Sequence, residues 1–384
     1  MEREEILRQE AVRLSLLGSS VNSISEQLNR SRQWVHKWVK KHNQTSDMEW
    51  YKSGSNTPKT IVRKTSESQE QAVIEIRRRL SNQPYAQTGA ISILYEFERL
   101  GISPPSVTTI NRILKRNNLI ENTKVKRMKN TEYPSHFLGV QQMDLIGPRY
   151  LKGGFRFYFY NIIDTENHFA GVYPIPDKSA ESIVPCVLDY WKSYQMPDFL
   201  QMDNELSFRG SNRHPRGLGL LMRVAISNGV TPIFIPPAEP WRNGIIEKFN
   251  DNVGKYFYNT QKFASFEDLQ YKAKNFTLFH NENHRYSSQA NRTPNQMLKD
   301  ISNKASLTKE IDLTQKIFID EGRLIFIRFI RSDLKLRLLN ETFTVKPILK
   351  YSYVTVEIIL EKFILVVEQN STIHHIFPFP MSLP

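Results

Sequence analysis

Cysteine is almost absent from this chain, which has one in 384 residues, Cys186. One cysteine excludes an internal disulfide and any zinc site built from several cysteines, and it fits a reducing compartment, so we interpret Cys186 as a core residue. Long apolar runs are also missing: none approaches the roughly 20 residues that cross a bilayer. The N-terminal MEREEILRQE is charged where a signal peptide needs an apolar stretch. We therefore expect a soluble cytoplasmic protein without a membrane segment.

Acidic residues are too few to balance the basic ones, with 39 Asp and Glu against 52 Lys and Arg and a formal charge of +13. Residues 1–136 hold 23 basic and 14 acidic side chains, so this third of the chain carries +9 of the excess. Such a positive field favours an extended polyanion, and nucleic acid is the first candidate. Because a solubilising surface charge would give the same composition, motifs must decide between the two.

The chain is too long for one ordinary domain, and its 40% hydrophobic and 11% aromatic residues are enough to form real cores. Changes of pattern predict six segments: 1–45, a helix-turn-helix unit; 46–69, a polar linker; 70–120, a second helix-turn-helix-like unit; 121–134, a basic linker; 135–300, an α/β domain; and 315–384, a small all-β barrel. The predicted fold is therefore multidomain, with α-helical, α/β and all-β parts in that order.

Apolar residues at helical spacing predict three short helices in the first segment: Ile6, Leu14 and Leu17; Ile24 and Leu28; and Val35, Trp38 and Val39. Gly18 ends the first helix and Ser31 caps the third. The outward positions of the third helix carry hydrogen-bond donors suited to phosphates and base edges: Arg32, Gln33, His36, Lys37 and Lys40. A basic solvated helix in a small bundle is the alternative, but turn, cap and donors together favour DNA binding.

A second helical unit is predicted by apolar periodicity over residues 71–80, 88–99 and 105–117, with Ser106 as a cap. The basic stretch NTKVKRMKN, residues 122–130, follows it and has no core pattern. This stretch is either a tether along a DNA backbone or an exposed linker.

Strands dominate from Phe137 onward. The runs FLGVQQMDLIG, FRFYFYNIID and HFAGVYPI predict an antiparallel meander, and PDFLQMD and TPIFIP predict two more strands. Helices are expected at about 178–194, 242–257 and 266–285, which completes an α/β domain. Short strands after residue 315 predict the small barrel, whose Arg and Lys side chains either contact DNA or protect its edges.

Two aspartates end strands of the α/β domain: Asp144 the first and Asp203 the fourth. Functional groups gather beyond the strand tips of α/β proteins. Because an unpaired buried carboxylate is costly, each of these two requires either a basic side chain or a metal ion.

Glu247 lies in the first turns of a helix fixed by the preceding PPAEPWRNG. The apolar stripe of this helix is predicted to be Ile245, Phe249, Val253 and Tyr256, with Glu247 on the opposite, polar face beside Asn243, Asn250 and Gly254. Taken alone, Glu247 is equally explained as an acid that stabilises the helix N-terminus.

The order Asp144, Asp203, Glu247, at intervals of 59 and 44 positions, resembles the DDE triad of retroviral-integrase-like transposases. Local strings carry the same resemblance: QMDLIG, IIDTENHFAGVYPI, QMDNELSF, PPAEPWRNGIIEKFN, and the downstream HNENHRYSSQANRTPNQML with its Thr293 and Pro294. The resemblance covers residues 135–300, and the flanking segments match bacterial insertion-sequence transposases in order.

The resemblance implies an RNase H-like integrase catalytic core in which Asp144, Asp203 and Glu247 hold two Mg²⁺ or Mn²⁺ ions. Water would cut at the end of a mobile element, and the freed 3′-hydroxyl would then attack target DNA. The implied partners are double-stranded DNA and further copies of the chain, and the implied location is the bacterial cytoplasm, on the nucleoid. A metal-dependent nuclease, or a decayed transposase that regulates through its helix-turn-helix units, are the competing hypotheses.

Two departures from the family pattern lie after Asp203. Glu205 replaces the usual glycine, and SFRGSNRHPRGLGLL is a longer, basic loop. Near the triad we predict DNA contacts by Arg242, Asn243 and Lys248 and a structural role for Asp164. A further polar group either lines the DNA path or is simply solvated: His280, Asn281, His284 and Arg285.

Overall fold

The computed structural model describes residues 3–53, 65–120, 132–134, 137–210, 213–214, 216–299, 306–308 and 311–382. The chain divides into two compact units, Met1–Lys64 and Thr65–Pro384. Most of the predicted basic linker, residues 121–131, and the middle of the predicted polar linker, residues 54–64, lie outside the described residues. Among the described helices, none combines the length and apolar character needed to cross a membrane.

The N-terminal unit contains three helices, α1 (Arg3–Leu16), α2 (Val21–Leu28) and α3 (Arg32–Gln44). The Ser31 hydroxyl accepts a hydrogen bond from the Trp34 amide, which confirms the predicted cap of α3. Side chains from all three helices form one small core: Ala11, Leu14, Ile24 and Val35. The helix-turn-helix arrangement is therefore as predicted.

The predicted inward face of α1 is partly wrong. Ile6 is 53% exposed and Leu17 69% exposed, whereas Ala11 and Val12 are buried with Leu14. Leu17 lies beyond the end of the helix, so helical periodicity does not apply to it. The small side chain of Ala11 marks the face on which α1 packs against α3.

Three more helices, α4 (Glu67–Asn82), α5 (Ala90–Arg99) and α6 (Val107–Arg116), begin the second unit. Ser106 caps α6 as predicted, because its hydroxyl accepts from the Thr109 amide. The three helices share a core to which Phe279, from a helix later in the chain, also contributes. The second helical segment therefore packs directly against the α/β domain.

A central sheet follows, built from β1 (Val140–Tyr150), β2 (Arg156–Asp164), β3 (Ala170–Ile175), β4 (Phe199–Met202) and β5 (Thr231–Phe234). These strands lie in the order β3-β2-β1-β4-β5. The first three are antiparallel, which confirms the predicted meander, while β4 and β5 run parallel to β1.

Helices cover this sheet: α7 (Ala180–Ser193), α8 (Leu206–Arg209), α9 (Leu220–Ser227), α10 (Gly244–Asn252), α11 (Phe266–Asn283) and α12 (Pro294–Leu298). A 3₁₀ turn, Pro240–Asn243, precedes α10, and a π-helical segment, Val253–Tyr258, follows it. The apolar stripe therefore differs from the prediction. Ile246 and Phe257 are fully buried beside Phe249 and Val253, whereas Ile245 and Tyr256 are only partly buried. The wider π-helical turn shifts which side chains face inward.

The C-terminal region is rich in β-strands, as predicted: β6 (Arg323–Phe329), β7 (Lys335–Leu338), β8 (Glu341–Thr344), β9 (Tyr353–Ile359), β10 (Ile364–Gln369) and β11 (Thr372–Pro378). However, β6 and β9–β11 extend the central sheet to nine strands rather than forming a sheet of their own, and β7 and β8 make a separate hairpin. The junction is parallel pairing of β6 with β5, reinforced by the stacked rings of Phe234 and Phe326 at 4.7 Å. Without β6, the edge of β5 would expose unpaired backbone N–H and C=O groups, and pairing with β6 satisfies them.

Candidate active site

The three predicted carboxylates converge on one edge of the sheet. Asp144 lies in β1 and Asp203 directly follows β4. Because Gln142 pairs with Gln201 in the parallel register, Asp144 and Asp203, each two residues further on, lie at the same level of adjacent strands. Glu247 lies in the first turn of α10, which packs on β1 and β2. Carboxyl ends of parallel strands are where α/β domains place functional groups.

Asp144 is mostly buried and has two hydrogen-bond donors. Its Oδ1 accepts from the Leu145 amide at 2.8 Å, and its Oδ2 accepts from Asn250 Nδ2 at 2.7 Å. The pKa of Asp144 is raised to about 6, mainly by burial and less by the charges of Asp203 and Glu247, while its two hydrogen bonds act to lower it. The three carboxylates therefore act on one another electrostatically.

Asp203 begins a short turn that tolerates Glu205 in place of glycine. Glu205 has φ −56°, a conformation open to any residue, and its amide donates to Asp203 Oδ1 at 2.9 Å. Its carboxylate accepts from Lys178 Nζ at 3.0 Å. Burial raises the pKa of Asp203, which the Glu205 charge also raises and Lys178 lowers. The departure at Glu205 thus leaves Asp203 held by a backbone donor.

Glu247 is half-buried and carries the least constrained of the three carboxylates. Burial, with the nearby charge of Asp251, raises the pKa of Glu247. No Lys, Arg or His forms an ion pair with Asp144, Asp203 or Glu247 in the part of the chain that the structure describes. The negative charge at this edge is left without a basic partner.

Two glutamines that our sequence analysis overlooked connect the aspartate strands to the helix of Glu247. Gln142 Oε1 accepts from the amides of Ile245 and Ile246 at 3.2 and 3.0 Å, and so caps the N-terminus of α10. Gln201 Nε2 donates to the Arg242 carbonyl and to Asn243 Oδ1, both at 3.1 Å. The signal was present in the sequence as a repeated Gln-Met-Asp, at residues 142–144 and 201–203.

Asn243 does not lie on an open polar face. It is 3% exposed, its Nδ2 donates to the Met143 carbonyl at 3.0 Å, and its Oδ1 accepts from Gln201. Its predicted DNA contact is therefore replaced by a structural role, since both polar atoms are used within the protein. Asn250, which donates to Asp144 and accepts from Asn161, is the residue of this helix that touches the site.

The other predicted DNA contacts differ in their surroundings. Arg242 is partly buried, forms an ion pair with Glu239 at 3.1 Å, and lies 3.9 Å from the ring centre of Tyr133. Lys248 is exposed, 3.7 Å from Asp251. On α3, all five predicted side chains are exposed: Arg32, Gln33, His36, Lys37 and Lys40.

Polar residues at the opposite end of the meander are structural. Asp164 is 1% exposed and is surrounded by donors, in line with the role predicted for it. His280, Asn281 and His284 are buried, so the solvated alternative is wrong for them. Burial lowers the pKa of His284 to about 3. Arg285 stacks on Tyr95, with its guanidinium carbon 3.6 Å from the ring centre.

The basic loop after α8 is anchored on the C-terminal hairpin in its described part. Arg216 forms an ion pair with Glu341 of β8 at 2.6 Å and also donates to the Pro380 carbonyl at 3.2 Å. Gly210 and Gly219 approach each other so closely that a Cβ on Gly210 would lie 2.8 Å from the Gly219 amide nitrogen. In its described part, this loop therefore contacts the C-terminal strands.

The donor set at the carboxylate edge consists of oxygens, the ligands that Mg²⁺ and Mn²⁺ prefer. Its spacing is more open than that of a formed metal site: among the described residues, no three Asp, Glu, His or Cys side chains are grouped closely enough to hold an ion. The chemistry of the site fits a hard cation, whereas its present geometry does not enclose one.

Two family models match the chain. The integrase core domain matches residues 228–294, which include Glu247, and a homeodomain-like domain matches residues 2–47, which include α1–α3. No curated protein sequence matches the chain.

Similar solved structures come from retroviruses. One is the HTLV-2 integrase catalytic core domain in complex with magnesium, 12% identical, with a TM-score of 0.32 over 41% of this chain and 95% of that chain. Another is the BIV integrase catalytic core domain, 15% identical, with a TM-score of 0.31 over 42% and 94%. A third is the simian T-cell lymphotropic virus intasome in complex with PP2A regulatory subunit B56 gamma, 10% identical, with a TM-score of 0.37 over 76% and 93%.

The two family models occur in the order that the sequence resemblance implied, a DNA-binding helical domain before an integrase core. The core match includes the third carboxylate of the site, and the helical match includes the exposed basic face of α3. The two matched regions support a relationship of this chain to the transposase and integrase superfamily.

Proposed function

We propose that this protein is a transposase that cuts and joins DNA strands with two Mg²⁺ or Mn²⁺ ions held by Asp144, Asp203 and Glu247. One observation carries the proposal: Asp144 is a partly buried carboxylate at the same level of the sheet as Asp203, and the charges of Asp203 and Glu247 contribute to raising its pKa to about 6. Such an arrangement does not stabilise a fold, because like charges that are shielded from solvent repel one another. A divalent cation is the simplest group that balances them.

The chain itself fixes two of the three ligands before any ion binds. The Leu145 amide and Asn250 orient the two oxygens of Asp144, and the Glu205 amide orients Asp203. Each oxygen keeps a further lone pair for a metal ligand bond. Glu247, at the exposed side of α10, is the ligand that must move to close the site. When bound, such ions activate the attacking hydroxyl and stabilise the departing oxygen.

DNA recognition in this proposal belongs to α3. Its exposed donors, Arg32, Gln33, His36, Lys37 and Lys40, share one helix face, and none of them is in an ion pair within the described residues. A recognition helix of a helix-turn-helix domain presents such a face to the major groove. The element ends, the target DNA and a multimer that joins two ends complete the proposed assembly.

A DNA-binding protein without strand chemistry is the second candidate. The observation that favours it is the open spacing of the carboxylates, which do not form a metal site among the described residues. This candidate predicts sequence-specific binding by the helix-turn-helix unit and no metal-dependent change in the DNA. The same experiment separates the two.

The test incubates the protein with Mn²⁺ or Mg²⁺ and an end-labelled duplex that carries the DNA flanking the reading frame. Asp203→Asn is the inactive comparison, and Asp189→Asn, an exposed aspartate of α7, is the matched control. We expect metal-dependent nicking and joining by the wild type and the control only. Specific binding without strand chemistry in all three proteins would replace the proposal by the second candidate.

A further inference from the structure

We infer that the C-terminal strands β6 and β9 belong to the active centre: Arg328 of β6 positions the Asp203 turn, and Tyr353 of β9 positions the start of the Glu247 helix. The inference rests on the proposed function for its catalytic meaning. It goes beyond that function because it gives the C-terminal region a task within the catalytic domain. Both residues act through others and are positioning residues.

The Arg328 contact reaches the residue next to Asp203. Arg328 Nη2 donates to Asn204 Oδ1 at 2.8 Å, and Nη1 donates to the Ile235 carbonyl at 3.2 Å. Asn204 Nδ2 donates to the same Ile235 carbonyl at 2.7 Å. Arg328 therefore fixes the backbone that carries Asp203 against the end of β5.

A contribution to fold stability does not explain why a guanidinium is buried at position 328. The side chain is 8% exposed, its Nε is buried without a hydrogen-bond partner, and no carboxylate forms an ion pair with it in the described ranges. Burial lowers the pKa of Arg328 to about 9. An apolar side chain of similar length would avoid this cost, as replacements of buried charges in other proteins show. The guanidinium is therefore explained by what it holds in place.

The Tyr353 contact reaches the turn before α10. The Tyr353 hydroxyl donates to Glu239 Oε2 at 2.7 Å and accepts from Arg242 Nη2 at 2.9 Å. The guanidinium of Arg242 also lies between two rings, 3.9 Å from the centre of Tyr133 and 4.8 Å from that of Tyr353. Arg242 and Glu239 frame the 3₁₀ turn that leads into α10.

The contacts of Arg328 and Tyr353 lie at the same end of the strands because of the order and direction in which the strands pair. Since β6 runs parallel to β5, and β5 to β4, the carboxyl ends of all three strands lie at the edge that carries Asp203. The antiparallel β9 begins at that edge, where Tyr353 pairs with Phe329. Gln201 links both contacts, because it bonds the Arg242 carbonyl from the strand that ends at Asp203.

The test compares Arg328→Met and Tyr353→Phe with Arg323→Ala in the full chain. Arg323 is a matched control, because it is exposed, lies at the opposite end of β6 and pairs with the half-buried Glu357 of β9. Hydrogen exchange is measured over residues 203–209 and 240–250, together with melting temperature, DNA affinity and the rate of strand cleavage.

We expect Arg328→Met to speed exchange over 203–209 and Tyr353→Phe to speed exchange over 240–250. Each should lower kcat by roughly ten- to a hundredfold with DNA affinity unchanged, since small displacements of catalytic groups have such effects. The melting temperature of Arg328→Met should equal or exceed that of the wild type, and Arg323→Ala should alter neither segment nor kcat.

The two proposals fail in different ways. An inactive wild type that still shows the two local exchange changes would overturn the transposase function while retaining the positioning contacts. An active wild type whose variants show normal exchange in both segments and normal kcat would overturn the inference alone. A loss of kcat that follows only from a general fall in melting temperature would also overturn it, because that is a purely structural role.

Discussion

Two aspartates on neighbouring strands, the buried Asp164 of β2 and the partly buried Asp144 of β1, have opposite surroundings. Asp164 accepts hydrogen bonds from two backbone amides, those of Glu166 and Asn167, and from the side chains of Tyr194 and Gln195, at 2.9–3.2 Å. Asp144 has two donors and shares its edge of the sheet with two further carboxylates.

The difference distinguishes a structural carboxylate from a functional one. Protein donors satisfy the charge of Asp164, so its edge of the domain needs nothing from outside. The charge of Asp144 is opposed by the charges of Asp203 and Glu247, and the proposed metal ions would offset this repulsion. The number of hydrogen-bond donors and of nearby like charges separates the two residues.

The largest expected effect is on strand chemistry. Asp144→Asn should lower the cleavage rate by at least about a thousandfold, because it removes a ligand from both proposed ions. Binding to the same duplex should be unchanged, since the donors on α3 are not altered. Gel-based cleavage and binding assays on one preparation measure both, and a variant that retains a tenth of the wild-type rate would contradict the role of Asp144.

The same substitution at the structural aspartate, Asp164→Asn, should affect the stability of the fold and not strand chemistry. Asp164→Asn places an amide NH₂ group against donors and should lower the free energy of unfolding by about 2–4 kcal/mol. Urea denaturation measures this loss, with Asp189→Asn as the exposed control. A loss below about 0.5 kcal/mol, the usual range for surface changes, would show that the donors around Asp164 do not stabilise the fold.

A smaller effect should appear in the pH dependence of stability without metal. Asp144 has a pKa of about 6 in the folded chain against 3.8 for an ordinary aspartate, so the folded state holds its proton more tightly. The stabilisation is complete below pH 3.8 and is lost as the pH rises through about 6. Its size should be about 2 kcal/mol.

The comparison for this effect is Asp144→Asn, which cannot titrate at this position. The difference in unfolding free energy between wild type and variant, followed by urea titration from pH 4 to pH 7 with a chelator present, should turn against the wild type as the pH rises. A constant difference across this range would show that neither burial nor the neighbouring carboxylates raise the pKa of Asp144.

Local chemistry was readable from the sequence because it depends on residues near one another in the chain. The Ser31 and Ser106 caps, the meander and the position of Asp203 after β4 follow from short-range patterns. The predicted end of the first strand at Asp144 is wrong, because β1 continues to Tyr150. The repeated Gln-Met-Asp could have been used in the same way. This repeat predicts that Gln142 and Gln201 lie on the same strand faces as Asp144 and Asp203, where they can bond the helix that carries Glu247.

Long-range pairing was not readable in this way. A strand pattern says that β6 is a strand, but not that it pairs with β5 instead of closing a barrel. The predicted apolar stripe failed at Tyr256 because the π-helical segment Val253–Tyr258 changed the helical period and turned Phe257 inward. Asn243 is buried because its hydrogen-bond partners come from two distant strands. Burial of His280 and His284 likewise depends on residues distant in the sequence: the ring of Phe249 lies 4.8 Å from that of His280, and the Gln87 side chain bonds His284.

Thermal unfolding with and without Mn²⁺ tests the central claim most directly. Wild type, Asp144→Asn and Asp333→Asn, a control in the C-terminal hairpin, are melted at pH 7.5 with chelator or with saturating Mn²⁺. An ion at a hundred times its dissociation constant should stabilise the wild type and the control by about 2.7 kcal/mol. The account predicts no such gain for Asp144→Asn, and equal stabilisation of all three proteins, or of none, would contradict it.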